Sequence, residues 1–197
     1  MADIRMAEPA DTSSIKRIYG KYVRETPISF ELEVPSEAEM RDRIESVLDR
    51  DPWLVCEHEG NVVGYAYAKP LRSREAYQWS VESSVYVDGD YHRRGIARGL
   101  YGSLFSILES QGYVGAFAGI ALPNPASVGL HESMNFEPIG VYRDVGYKDG
   151  EWHDVGWWQR PIRATPAAPD PPRPVDEVRD CSGWDDALSA GLADVRV

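Results

Sequence analysis

Hydrophobic positions along the chain switch between two spacings, three to four residues in some stretches and two in others. Alternation of that kind predicts helices interleaved with strands. Ile4 to Ala7 reads as a short first strand. Pro9, Asp11 and Thr12 then offer helix-start residues, and Ile15, Ile18, Tyr19, Tyr22 and Val23 form one helical stripe. Thr26 to Phe30 breaks that stripe as a loop. Ser36 with Glu39 makes a capping box, Met40, Ile44, Val47 and Leu48 share the face that follows, and Asp51-Pro52 ends the helix. Trp53 to His58 and Val62 to Ala68 read as two strands joined at Glu59-Gly60-Asn61.

The chain then turns on residues 81–100. Trp79, Val81, Ser83, Val85 and Val87 alternate with Ser80, Glu82, Ser84 and Tyr86, one set to each side of a strand. A basic turn containing Gly95 follows, and Ile96, Leu100, Leu104, Ile107 and Leu108 return at helical spacing. Strand, small-residue turn and helix make an arrangement with a chemical use. The first amides of a helix lack intrahelical partners and carry the positive end of its dipole, so they can hold a phosphate. Gly95 and Ala97 let a diphosphate approach the backbone, and Arg93, Arg94 and Arg98 add charge. Glu82 on the preceding strand sets a carboxylate a few residues from that anion site.

Gly112 closes the helix, and Val114 to Leu122 is apolar enough for a buried strand. Pro123-Asn124-Pro125 turns the chain into a short helix carrying Leu130, His131 and Met134. Ile139 to Tyr147 and Trp152 to Trp158 read as a last hairpin, joined at Lys148-Asp149-Gly150-Glu151. One α/β domain is therefore expected over residues 1–162. Residues 163–197 read as a Pro-rich linker and an acidic, poorly ordered tail, with a marginal helix near Trp184 to Leu192.

Composition narrows the function. At 197 residues the chain is long enough for one real core. Its formal charge of −11 argues against a nucleic-acid partner. The uncharged run from Ser110 to Leu130 contains two prolines and several glycines, which fits a buried strand and turn rather than a membrane span. Cys56 and Cys181 lie far apart and suggest neither a disulfide framework nor a metal site. His58, His153 and Asp154 form no convincing metal set, so no metal is expected. Met1 to Arg5 leads straight into polar sequence, and a cytoplasmic location is the expectation.

The segment His92-Arg93-Arg94-Gly95-Ile96-Ala97 resembles the acyl-CoA pyrophosphate loop of the GNAT superfamily, Gln/Arg-x-x-Gly-x-Gly/Ala, with His92 at the position usually held by Gln or Arg. Around it, residues 74–87 resemble a stretch that distinguishes phosphinothricin N-acetyltransferases. So do Pro52 to Val55, Leu122 to Val128, His131-Glu132, Gly146-Tyr147-Lys148 and Trp152 to Gly156. The resemblance covers roughly residues 3–162. It implies the GNAT acyl-CoA N-acyltransferase fold, a mixed, twisted and splayed sheet flanked by helices, and a homodimer.

It also implies roles residue by residue. Backbone at Val85, Tyr86 and Val87 would pair with the pantetheine arm of acetyl-CoA. Arg93, Arg94, Gly95, Ile96, Ala97 and Arg98 would cradle the diphosphate, and Asn124 would hydrogen-bond near the pantetheine. Glu82 would be the general base, and His131 stands where many superfamily members carry a tyrosine acid. Phe30, Arg72, Arg74, Tyr77 and Ser84 match positions on the substrate side, with Arg143 a further candidate. Without the resemblance, Glu82 reads as well as a solvent-facing or arginine-paired carboxylate, Arg72 and Arg74 as solvated charge, and Phe30 and Tyr77 as core. The expected reaction is direct acetyl transfer to the α-amino group of a small amino acid such as phosphinothricin or methionine sulfoximine. A broader amine acetyltransferase and a non-catalytic acetyl-CoA sensor are the alternatives.

Overall fold

In the computed structural model, which describes residues 2–197, seven strands form one sheet. The strands are β1 (Ala2–Met6), β2 (Trp53–His58), β3 (Asn61–Pro70), β4 (Ser80–Val87), β5 (Gly115–Leu122), β6 (Glu137–Lys148) and β7 (Glu151–Pro161). Their order across the sheet is β1-β2-β3-β4-β5-β7-β6. Neighbours pair antiparallel except β4 and β5, which are parallel and joined by the helix α3 (Ile96–Gln111). That one parallel pair is short. Ser80, Val81 and Glu82 pair with Gly115, Ala116 and Phe117, and beyond Glu82 the two strands part. The splay expected of the fold is thus located by register at Glu82.

Helices cover both faces of the sheet. On one face α1 (Thr12–Glu25) and α2 (Glu37–Leu48) bury Ile15, Ile18, Val23, Met40 and Ile44 against Trp53, Val55 and Tyr65. The capping box at Ser36 and Glu39 forms as its spacing predicts. On the other face α3 buries Ile96, Leu100, Leu104, Ile107 and Leu108 against Leu54, Val63, Val81 and Ala116. Each such side chain contributes ~1.5–3 kcal/mol by leaving water. Gly112 ends α3 in a left-handed conformation at φ 100°. The short helix α4 (Pro125–Ser133) follows β5. β1 begins two residues ahead of its apolar alternation because pairing with β2, from Ala2 against His58 to Met6 against Leu54, sets its extent.

The tail differs from its expectation. Residues 163–197 are packed rather than loose, and they contain α5 (Val175–Arg179) and α6 (Trp184–Ser189). Val175, Val178 and Ala187 are buried in the same core as α3, with Leu188, Leu192 and Val195 packed against it. Gln111 Nε2 donates to the carbonyls of Arg50 and Arg173, and Val175 N–H also donates to Arg50. The apolar residues are few, but each is spaced to reach α3, and an averaged composition does not register that placement.

Candidate active site

β4 supplies both parts of the site, because its faces alternate and one edge loses its partner past Glu82. Val85, Tyr86 and Val87 line a cleft of ≈ 640 Å³. Its opposite wall is the turn Arg93, Gly95, Ile96, Ala97 and Arg98, with Asn124 at the start of α4. Arg93 and Gly95 are both left-handed, at φ 61° and 76°. Because α3 has no side-chain cap, its first amides are available to an anion in the cleft. Asn124 Oδ1 accepts from Ser127 N–H at 3.1 Å, which leaves the amide NH₂ to donate to a ligand carbonyl. Arg94 alone of the expected cofactor residues lies outside this lining; its guanidinium sits over the Tyr91 ring, 5.1 Å from the centroid. His92 Nε2 is 3.1 Å from the Val87 carbonyl, which Tyr22 O–H also reaches at 2.6 Å, so together they fix the end of β4.

Glu82, Ser84 and Tyr86 point instead into a second cavity, of ≈ 950 Å³. Phe30 lines it as expected. Most of its other walls come from residues that the sequence does not single out. Tyr65, Tyr67 and Lys69 of β3 face it in register with Tyr86, Ser84 and Glu82. Lys69 Nζ stands 3.5 Å from Glu82 Oε1. Trp53 stacks on Tyr67 with centroids 4.2 Å apart, and Tyr19 meets Tyr86 edge-on at 5.2 Å. Arg43 grips Glu31 with Nη1 2.6 Å from Oε1, and Tyr19 O–H donates to the same carboxylate. The signal available in the sequence was the period-two run Tyr65, Tyr67, Lys69, matched in phase to Glu82 across a hairpin.

The two spaces meet. Both include Tyr86 and Ile28 in their walls. A pocket of ≈ 70 Å³ in the splay shares Ser84 with the cavity and Asn124 with the cleft, and Tyr101 and His131 form its buried wall. His131 Nδ1 lies 2.8 Å from the Ser127 carbonyl, so that nitrogen donates. Its Nε2, 3.1 Å from Tyr101 O–H, then accepts. Burial holds the His131 pKa below its ordinary value and pushes the Tyr101 phenol up, so the pair is a neutral imidazole and a protonated phenol.

Arg72 and Arg74 are not brought to Glu82. They edge a separate depression of ≈ 230 Å³ that shares Arg50 and Pro70 with the large cavity. Tyr77 is exposed in the turn Glu75–Tyr77 and lines neither space, and Arg143 pairs with Asp154 at 2.7 Å on the surface. The reason is β4's register: the chain before Ser80 leaves the sheet at the end away from the splay.

The loop that carries Ile28 and Phe30 has an unusual anchor. Lys148, at the end of β6, is only 4 % exposed. Its ammonium donates to the carbonyls of Val23, Thr26 and Ser29 at 2.7, 2.9 and 2.7 Å. Phe30 packs flat on Gly146, where any Cβ would stand 2.1 Å from the ring.

A cleft at an uncapped helix, opened by a splayed parallel pair, has the form of a transferase that takes an acyl-CoA. The acetyltransferase (GNAT) domain family matches residues 4–157, and the chain belongs to that family. It is 43 % identical over 176 residues to a phosphinothricin N-acetyltransferase of Streptomyces viridochromogenes, covering 89 % of this chain and 96 % of that one. It is 34 % identical to an L-methionine sulfoximine/L-methionine sulfone acetyltransferase of Pseudomonas paraeruginosa, covering 85 % and 99 %. The crystal structure of a phosphinothricin acetyltransferase from Sinorhizobium meliloti in complex with AcCoA superposes with a TM-score of 0.82 at 35 % identity, covering 86 % and 92 %. The protein is an acetyltransferase, and no helix among the described residues is long and apolar enough to cross a membrane.

Proposed function

We propose that the protein moves acetyl from acetyl-CoA to the α-amino group of a small amino acid with a second polar head, phosphinothricin or methionine sulfoximine being the leading acceptors. The observation that carries this reading is the meeting of the Glu82 cavity with the proposed diphosphate cleft at Tyr86 and Ile28, with the small pocket in the splay touching both. Bound acetyl-CoA supplies the thioester that the amine attacks. The uncapped turn at Arg93 to Arg98 holds the diphosphate, and the free edge at Val85 to Val87 aligns the pantetheine arm as an added strand would.

Glu82 takes the ammonium proton, directly or through one water, which frees the nitrogen lone pair. Lys69 keeps that carboxylate turned along the cavity wall. His131 has its one proton committed to Ser127 and its Nε2 accepting from Tyr101 O–H, so the pair shapes the wall of the small pocket, and the proton that the acylated nitrogen sheds as the C–S bond breaks goes to the departing sulfur. Direct attack in a ternary complex needs no covalent enzyme intermediate. Among the described residues no group of three His, Cys, Asp or Glu side chains is placed to hold a metal ion.

One observation favours a second reading, a broader amine or amino-acid acetyltransferase. Arg72 and Arg74 stand outside the Glu82 cavity, and Arg43 within it is already paired with Glu31. A screen of acceptors by CoA release tests the two. Phosphinothricin or methionine sulfoximine should outrun simple alkyl amines by at least about a hundredfold in kcat/KM, the loss expected when a polar head goes unmatched. Equal rates would establish the broader enzyme.

We infer a homodimer as well. β6 is a sheet edge that exposes Ile139, Val141, Tyr142, Val145 and Tyr147, a run of apolar side chains suited to a second copy. Sedimentation of wild type and Tyr142→Glu tests it. A reducing, cytoplasmic setting agrees with Cys56 and Cys181 both being free.

A further inference from the structure

We propose that residues 191–196 are a brace that orients the diphosphate-binding turn. Arg196 N–H donates to the Arg94 carbonyl at 2.8 Å. That carbonyl belongs to the same planar trans peptide as the Gly95 N–H, and in such a unit the two groups point in opposite directions. Holding the carbonyl toward the tail therefore turns the Gly95 amide away from it. The cleft lies on that other side, since Arg93 and Gly95 to Arg98 line it and no residue after Ser133 does among those described.

The tail could not lie this close on an ordinary helix. A Cβ at Gly95 would stand 1.9 Å from the Asp194 carbonyl oxygen, and one at Gly99 would stand 2.7 Å from that of Gly191. The contact is reciprocal, because a Cβ on Gly191 would meet the Gly99 carbonyl at 1.8 Å. Gly191 N–H also donates to Ser103 Oγ at 3.2 Å, one turn further along α3. With no side chain capping α3, this backbone clasp is what limits rotation of the peptide between Arg94 and Gly95. Gly95 takes its left-handed conformation freely, but Arg93 near it does so at a cost that such support offsets.

The inference rests on the proposed role of residues 93–98 as the diphosphate site, so its test separates the two. Dissociation constants for CoA and for pantetheine, which lacks the diphosphate, are measured by calorimetry on the full chain. The variants are Arg196→Pro, which deletes the donor, and Gly191→Val, which forces the clasp apart; circular dichroism confirms that each folds. Either variant should weaken CoA about tenfold, the order of one misdirected charge-assisted hydrogen bond, and leave pantetheine unchanged. CoA binding within twofold of wild type in both variants, or equal weakening of both ligands, would overturn the brace alone. Wild type that failed to bind CoA would overturn the diphosphate site itself.

Discussion

Two spaces meet at Tyr86, and they are made of different material. In the proposed cofactor cleft the grip falls to main-chain groups of three segments, a strand edge at 85–87, an uncapped turn at 93–98 and the start of α4. The proposed acceptor cavity is lined by side chains drawn from six places, Tyr19, Phe30, Arg43, Trp53, Tyr67 and Glu82. A common carrier can be gripped by backbone that tolerates substitution outside one or two glycines. A particular acceptor must be gripped by side chains, which are where relatives with one fold can differ.

The sharpest way to separate the two spaces is Glu82→Gln. Turnover should fall by ~10²–10⁴-fold, the usual worth of a positioned base, with CoA affinity unchanged. A mutant that keeps its turnover would remove Glu82 from the chemistry and leave the cleft standing.

This contrast also explains what could be read from the sequence. The strand, turn and helix around Gly95 are contiguous, and their roles follow from amides that every helix start exposes. The Arg94 guanidinium rests on the Tyr91 ring at the rim of that cleft, since a basic residue in such a turn can stack on a neighbour. The acceptor walls escaped for a physical reason: Arg43, Trp53 and Tyr67 come together only through packing of α2 and register of β2 and β3. Arg72, Arg74 and Tyr77 lie close to Glu82 in sequence, but the connection from β3 to β4 that carries them lines the outer depression or the surface rather than the Glu82 cavity. The tail's packing is hard to read because its few apolar side chains are spaced to reach α3 and its backbone comes close at Gly95 and Gly99.

A smaller effect is expected from Lys148→Met. Removing the ammonium leaves the carbonyls of Val23, Thr26 and Ser29 short of a donor in a buried site. Stability should fall by ~1–3 kcal/mol, and the acceptor KM should rise by more than CoA affinity falls, because the loop gives Phe30 to the cavity alone and Ile28 to both spaces. Loss confined to CoA would contradict the division of labour. Arg43→Met is next: acceptor KM should rise about three- to tenfold, more than for Arg72→Ala combined with Arg74→Ala. The reverse order would put the acceptor's polar head in the outer depression.

The smallest effect concerns stability against pH. Burial depresses the folded His131 pKa below the ~6.5 of an unfolded histidine, so the unfolded chain binds the proton more readily. Stability from this group is full above pH ~6.5 and falls as pH drops below it, by at most ~1.4 kcal/mol per pH unit. His131→Asn should flatten that part of the melting-temperature profile, and an unchanged profile would mean that the imidazole is not held neutral.

The central claim is that acetyl passes where the splay of β4 and β5 joins the two spaces. A crystal structure with CoA and the N-acetylated acceptor tests it most directly. The account predicts the product nitrogen within about 3 Å of Glu82 or one water away, with the CoA sulfur beside Ser84 and Tyr101. A product seated by Arg72 and Arg74, out of reach of Glu82, would contradict it.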